Sequence, residues 1–167
     1  ELIINFQGDA PLTPHHFITK LIGEMKDDSS IKVATPVVQC DYQHYKKLMN
    51  ERKNSRVGAT TAVFNKNFDA LYFSKEVLPF IGKRSLTKKK QLPVYHHVGV
   101  YAYKNDVLSQ YKNLKEGALE KLEGLEQLRF LENNIQIRCV LMKNTRLNFW
   151  ELNNPTDKII IEELLES

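Results

Sequence analysis

The sequence predicts an α/β fold built on a mixed sheet that carries an antiparallel extension. Short apolar runs that end at polar loops alternate with longer segments of helical periodicity, and one tight turn between two β-like runs marks a hairpin. Strand, helix, strand alternation calls for a sheet with helices packed on it, and the hairpin adds antiparallel strands to that sheet. With 167 residues and 42% hydrophobic content, the chain can bury one ordinary core, so residues 1–167 are read as a single domain.

Leu2, Ile3 and Ile4 run into the polar QGD at 7–9 and read as a buried strand delivered to a loop. A buried parallel strand needs neighbours on both sides, yet the sequence opens on this one at Glu1 without a Met. The expectation is that a segment of the native protein precedes it. Thr13 and Pro14 offer a capping hydroxyl and a proline in the first turn of a helix whose apolar stripe is Phe17, Ile18, Leu21, Ile22 and Met25. Residues 32–38 form a second strand. Tyr42–Lys53 is a polar helix with Tyr45, Leu48 and Met49 on its inner side. Residues 56–64 and 70–74 flank the turn-forming NKNFD at 65–69 and make the hairpin. Residues 94–103 alternate as a strand. A helix over 119–131 carries Leu119, Leu122, Leu125 and Leu128 at helical spacing, and 135–142 is another strand. Pro155 opens a terminal helix that buries Ile159, Ile160, Leu164 and Leu165. There is no internal repeat or low-complexity segment.

No apolar run approaches the roughly 20 residues that span a bilayer, and no secretory leader pattern opens the sequence, so a cytoplasmic protein without a membrane partner is expected. Cys40 and Cys139 each lie in a strand-like context with no second cysteine nearby, which favours buried free thiols over a metal or redox pair. The net charge of +4 suits an anionic ligand. Part of it sits in Lys83, Arg84, Lys88, Lys89 and Lys90, a run without interleaved aromatics that reads as a solvated loop. No nucleic-acid partner is expected.

Ligands of open α/β sheets bind beyond the carboxyl ends of the strands, which here directs attention to QGDAP at 7–11, HHVG at 96–99 and ELNNP at 151–155. Asp9 follows Gly8 at such an end, where its carboxylate suits a hard cation such as Mg²⁺ shared with phosphate oxygens; it also reads as a turn or capping aspartate. His97 and Tyr101 lie four apart on one strand and project to the same face, where a core histidine and a packing tyrosine are the plainer readings. Glu126 and Gln127 are polar positions on an amphipathic helix.

The stretches INFQGDAPL at 4–12, DALYFSKEVLPF at 69–80, YHHVGVYAYK at 95–104, LEKLEGLEQLRFLEN at 119–133 and ELNNPTD at 151–157 resemble, in this order, those of CMP-KDO synthetases, the 3-deoxy-manno-octulosonate cytidylyltransferases. The resemblance spans nearly the whole chain. It implies a Rossmann-like nucleotidyltransferase fold with helices on both faces of the sheet and a homodimer built partly on the strand extension. It also implies transfer of CMP from CTP to KDO or a related 2-keto sugar acid, with release of pyrophosphate, in lipopolysaccharide biosynthesis. The resemblance implies catalytic roles for Asp9 and Lys75, ligation of Mg²⁺ by Asp9 and Asn153, and substrate contacts by Gln7, His97, Tyr101, Glu126 and Gln127. The sequence departs from the family at several of these positions. Asn153 stands for an aspartate and brings no charge, and Lys75 stands for an arginine and lacks its planar fork. Thr61 replaces a lysine and Gly124 a serine, which together favour an acid other than KDO. The family's basic, small-residue nucleotide loop, of the form ARxxSxRxPxK, does not occur in these 167 residues. The resemblance therefore implies a longer enzyme of which this chain alone is inactive. The alternative is a non-catalytic sugar-acid-binding or dimerisation module that keeps the fold.

Overall fold

The structure, a computed structural model, describes residues 1–8, 10–57, 59–82, 86, 91–143, 158–159 and 161–162. In chain order the elements are β1 (Leu2–Phe6), α1 (His15–Asp27), β2 (Val33–Gln39), α2 (Tyr42–Lys53), β3 (Thr61–Phe64), β4 (Ala70–Ser74), β5 (Tyr95–His97), β6 (Val100–Lys104), α3 (Asn105–Tyr111), α4 (Ala118–Glu123), α5 (Leu128–Glu132) and β7 (Arg138–Met142). The strands form one sheet in the order β1-β6-β2-β5-β3-β4, with β7 joined to β2. The pair β2 and β7 is parallel and the remaining strand pairs are antiparallel.

β2 is the shared wall of two cores, because successive side chains of a strand point to opposite faces. Val33 and Val37 face Tyr101, Tyr103, Cys139 and the helical residues Val107, Leu128 and Phe130. Ala34 and Val38 face Val100, Ala102, Val140 and Met142, over which α1 lays Phe17, Leu21 and Met25. Helices thus cover both faces of a mixed sheet, as expected. A third cluster seats Tyr45 and Leu48 of α2 against Cys40, Leu92 and Val94.

The elements differ from expectation where tertiary partners override local pattern. α1 begins at His15 with Pro14 as its cap residue, and the Thr13 hydroxyl donates back to the Ala10 carbonyl instead of capping the helix. β1 is antiparallel to β6 and half-buried. Among the described residues it pairs on one side only, and Phe6 is exposed, so it is not the buried parallel strand anticipated. β3 begins at Thr61; 56, 57, 59 and 60 are not strand. The strand expected over 94–103 is two strands, parted at Val98 and Gly99. α3 follows β6 directly, where no helix was foreseen. The helix expected over 119–131 is broken by Gly124 into α4 and α5, and Leu119 and Leu122 are exposed, so the four leucines are not one buried stripe. Of the terminal helix, Ile159 is exposed and Ile161 buried; Ile160, Leu164 and Leu165 lie outside the described residues.

The Asn65 carboxamide oxygen accepts from the N–H groups of Asn67 and Asp69 at 2.8 and 3.0 Å, which turns the β3–β4 hairpin. The hairpin then curls onto β7: Cys139 N–H donates to the Phe68 carbonyl and Ala70 N–H to that of Ile137, both at 2.8 Å. Arg138 pins this junction, with Nε 3.2 Å from Asp69, Nη1 3.4 Å from Glu24 and Nη2 3.7 Å from Asp28. The Asp28 carboxyl is held below its usual range, first by the hydroxyl and N–H of Ser30 and then by the guanidinium. α4 takes its cap from a distant carboxylate: Glu132 accepts from Leu119 N–H at 3.0 Å and Glu120 N–H at 3.1 Å. A Cβ at Gly117 would come within 2.2 Å of that carboxylate.

Two outcomes follow. Gly117→Ala should expel the Glu132 carboxylate and lower stability by about 1 kcal/mol, the usual worth of a cap, with faster amide exchange at Leu119 and Glu120. Denaturant titration with hydrogen exchange checks it, and unchanged exchange at those amides would contradict the capping role. Burial pushes the Cys40 and Cys139 thiols up to about 12. Both stay protonated at pH 8, where the thiolate is the reactive form, so iodoacetamide should label neither in the folded chain and both after unfolding.

Candidate functional site

A cavity of about 340 Å³ opens beside the end of β1 and the break between β5 and β6, and Gln7, Lys75, His97, Tyr101, Glu126 and Gln127 all line it. They come from four places in the sequence. What brings them together is a set of local breaks in regular structure.

The first break parts β5 from β6. Pro36 of β2 has no N–H to offer, and its carbonyl accepts from Val98 N–H at 3.1 Å, so the missing donor faces the strand at this point. The ladder stops there. Thr35 fills the gap: its hydroxyl lies 2.9 Å from the Val100 carbonyl, 3.4 Å from that of Val98 and 2.9 Å from His97 Nε2. The hydroxyl has one proton and the carbonyls only accept. All groups are satisfied when Thr35 donates to Val100 and His97 Nε2–H donates to Thr35. His97 is therefore held in one tautomer. Its ring also meets Phe73 edge-on at 5.1 Å and Tyr101 at 5.4 Å. Tyr101 is 1% exposed and stacks on Tyr103 at 5.7 Å, so it serves as packed cavity floor. The two residues share the cavity although the strand between them is broken.

Gly99, in the break, gives Gln7 its place. A Cβ there would sit 2.4 Å from Gln7 Oε1, and the other end of the carboxamide, Nε2, donates to Glu126 Oε1 at 3.3 Å. The second break lies between α4 and α5. Gly124 is left-handed at φ 62°, and its N–H and that of Leu125 both donate to the Glu120 carbonyl, at 2.7 and 3.3 Å. Glu126 and Gln127 consequently sit in a turn, not on an amphipathic helix, and the turn presents them to the cavity. Arg129 fixes this turn by a bidentate pair with buried Glu120 at 2.7 and 2.6 Å and by stacking 4.6 Å from the Tyr111 ring. Lys75 arrives from the end of β4, and its Nζ is 3.0 Å from where a Cβ of Gly124 would stand.

Thr61 does not belong to the cavity. Its hydroxyl donates to the Glu76 carbonyl at 2.7 Å and accepts from Leu78 N–H at 3.1 Å, fixing the segment after β4; the adjacent Thr60 faces the cavity. The lysine-to-threonine departure therefore reports on backbone support, and the argument for a different acid loses one of its three parts. Another cavity, of about 250 Å³, is lined by Asp69 and Arg138. Its charges already neutralise one another in the network around Arg138, which leaves it no evident ligand.

The cytidylyltransferase family model matches residues 1–137. The chain belongs to the cytidylyltransferase family. It is 36% identical over 165 residues to the 3-deoxy-manno-octulosonate cytidylyltransferase of Maricaulis maris, covering 99% of this chain and 62% of the relative. The counterpart in Elusimicrobium minutum is 38% identical over 144 residues, covering 86% of this chain and 55% of the relative. Among solved structures, CMP:2-keto-3-deoxy-manno-octonic acid synthetase complexed with CTP superimposes with a TM-score of 0.78 at 28% identity, over 99% of this chain and 61% of that one. The chain thus spans less than two thirds of the length of these relatives.

In this cytidylyltransferase chain, Asp9 and Asn153 lie outside the described residues. Among the described residues no group of three or more His, Cys, Asp or Glu could hold a metal, and no helix is long and apolar enough to cross a membrane. Reading the sequence missed Thr35, Gly99 and Glu123. Glu123 accepts from Ser74 Oγ at 2.6 Å, Lys75 N–H at 2.9 Å and Tyr72 OH at 3.3 Å, contacts that no local pattern announces.

Thr35→Val should take the hydroxyl away from the Val100 carbonyl and from His97 Nε2–H and cost about 2 kcal/mol. ¹⁵N NMR of the histidines should show His97 as the Nε2–H form in the parent and a changed tautomer ratio in the variant. An Nδ1–H parent would refute the assignment.

Proposed function

We propose that this chain is the sugar-acid-binding part of an enzyme that transfers CMP from CTP to 3-deoxy-manno-octulosonate or a related 2-keto sugar acid. The observation that carries this reading is a cavity in which, among the described residues, one cation, Lys75, stands among groups able to bind hydroxyls: Gln7, His97, Glu126 and Gln127. That set matches an acid with many hydroxyls: the ammonium balances the carboxylate, and carboxylate and carboxamide oxygens accept from hydroxyls. The shared family and the KDO enzymes among the relatives supply the reaction. The acid's anomeric oxygen bonds to the α-phosphorus of CTP, the bond to the bridging oxygen breaks, pyrophosphate leaves, and the hydroxyl proton passes to solvent or a base. Positioning of two anions is the main task.

Mg²⁺ would neutralise the phosphate charge, held by the Asp9 carboxylate with the Asn153 carboxamide oxygen as a neutral ligand. We place the nucleotide cradle in the part of the longer relatives that this chain does not match. β1 supports this, with its second side unpaired among the described residues and an apolar cavity of about 350 Å³ beside it, lined by Ile3, Tyr103, Leu108, Tyr111 and Phe130. The exposed Leu71 and Phe80, on and after the hairpin, suit a homodimer contact. A soluble cytoplasmic enzyme of lipopolysaccharide biosynthesis fits the same reading.

The test is pyrophosphate release by the intact protein with CTP, Mg²⁺ and a panel of 2-keto sugar acids. Turnover with at least one acid is expected, with Asp9→Asn abolishing it and Lys75→Ala raising KM for the acid on the order of tenfold or more, the loss of a charge-assisted contact. Acid binding without turnover would make the chain part of a binding module. Neither binding nor turnover with any acid would overturn the proposal.

A further inference from the structure

We propose that Glu123 is a positioning residue that aims Lys75 into the cavity, and that Gly124 beside it leaves the ammonium its room. The inference rests on the reading of the cavity as a sugar-acid site and adds what sets the reach of Lys75.

Lys75 stands at the end of β4, just past the last ladder pair of the hairpin, Thr61 with Ser74. The strand there no longer fixes its backbone. Glu123 takes over. One carboxylate oxygen accepts from Ser74 Oγ at 2.6 Å and the other from Lys75 N–H at 2.9 Å. Ser74 Oγ in turn accepts from Glu76 N–H at 3.0 Å, so three successive residues hang on one carboxylate. Such charge-assisted bonds are short and directional, and the pair of them fixes both position and orientation of the segment. Glu123 is itself the last residue of α4, followed by the left-handed Gly124. Helix end and strand end are thereby locked together with the lysine between them.

The side chain then runs over Gly124. A Cβ at that position would be 3.0 Å from Nζ, tight enough that the ammonium would have to shift by a few tenths of an ångström, and φ 62° disfavours any residue with a Cβ. Among the described residues no carboxylate lies within ion-pair distance of the Lys75 ammonium, so its charge is available to a ligand. Glu123 holds it by the backbone alone. A lysine has more rotatable bonds than it can spend on one contact, and an anchored Cα with a glycine floor confines where its charge can go.

A double-mutant cycle in the intact protein decides the matter, with KM for the acid, KM for CTP and kcat measured for the parent, Glu123→Ala, Lys75→Ala and the pair. Glu123→Ala should raise KM for the acid about tenfold while KM for CTP and kcat stay within about threefold. In the Lys75→Ala background the same change should add no further rise. An additive rise, or equal losses for both substrates, would show that Glu123 only supports the fold and would overturn the proposal, as would an unchanged KM in Glu123→Ala. If Glu123→Ala does not fold, Glu123→Gln takes its place: one end of the carboxamide cannot accept, and a smaller, equally non-additive rise is expected. If the parent turns over no acid, the functional reading falls, and the positional claim is read from hydrogen exchange. Lys75 N–H should then exchange about tenfold faster in the variant while the Thr61 and Val63 amides keep their protection; unchanged exchange at Lys75 overturns it.

Discussion

The arrangement rests on one missing hydrogen bond. Because Pro36 has no N–H, β2 cannot pair continuously with the long strand beside it, and the ladder divides into β5 and β6 with the Thr35 hydroxyl between them. Everything at the cavity's rear follows from that division. His97 is turned to a threonine instead of a backbone neighbour, Gly99 falls where the Gln7 carboxamide needs space, and Tyr101 restarts the strand as a packed floor. A ladder that ran unbroken would leave no place for Gln7. The gap is not a bare opening in the sheet, since the buried Thr35 hydroxyl serves the Val100 carbonyl and the His97 ring while the Val98 N–H keeps the Pro36 carbonyl as its partner.

Elements whose local chemistry and tertiary role agree were legible in the sequence. α2 runs over the residues its pattern predicts, with Asp41 capping it through His44 N–H at 2.8 Å, and of the α1 stripe Phe17, Leu21 and Met25 are buried while Ile18 and Ile22 are half-buried. The α1 cap was misread because Thr13 spends its hydroxyl on a turn. The leucine spacing of 119–131 suggested one helix because periodicity carries no mark for a left-handed glycine, and Gly124 interrupts without disturbing the count. α3 was hidden by length: seven residues immediately after a strand give too short a window for a helical period to appear.

The cavity residues were nameable only through resemblance to a family, since His97, Tyr101, Glu126 and Gln127 each have an ordinary local explanation. The structure sets them around one space, and it also sorts the departures from the family. Lys75 and Gly124 touch and so constitute one change, whereas Thr61 acts on the segment behind them. The residues that reading by eye passed over, Thr35, Gly99 and Glu123, work through contacts with partners 48 to 65 positions away or by the absence of a side chain. Neither leaves a pattern in a window of sequence.

The curl of the hairpin onto β7 has a mechanical meaning. Following strand pairs from β2 through β5 and β3 to β4, and then the isolated bridge from Asp69 to Arg138 of β7, returns to β2, so the five strands form a circuit closed by that bridge. In an open ladder the register of one strand can slip at the cost of its own neighbours alone. In a circuit the offsets must sum to zero, and a slip anywhere must be absorbed by every other junction. The extension is thus geared to the central sheet rather than appended to it. A push on its outer turn at 65–69 bears on β7 and, through β7, on the strand that carries Thr35 and Pro36.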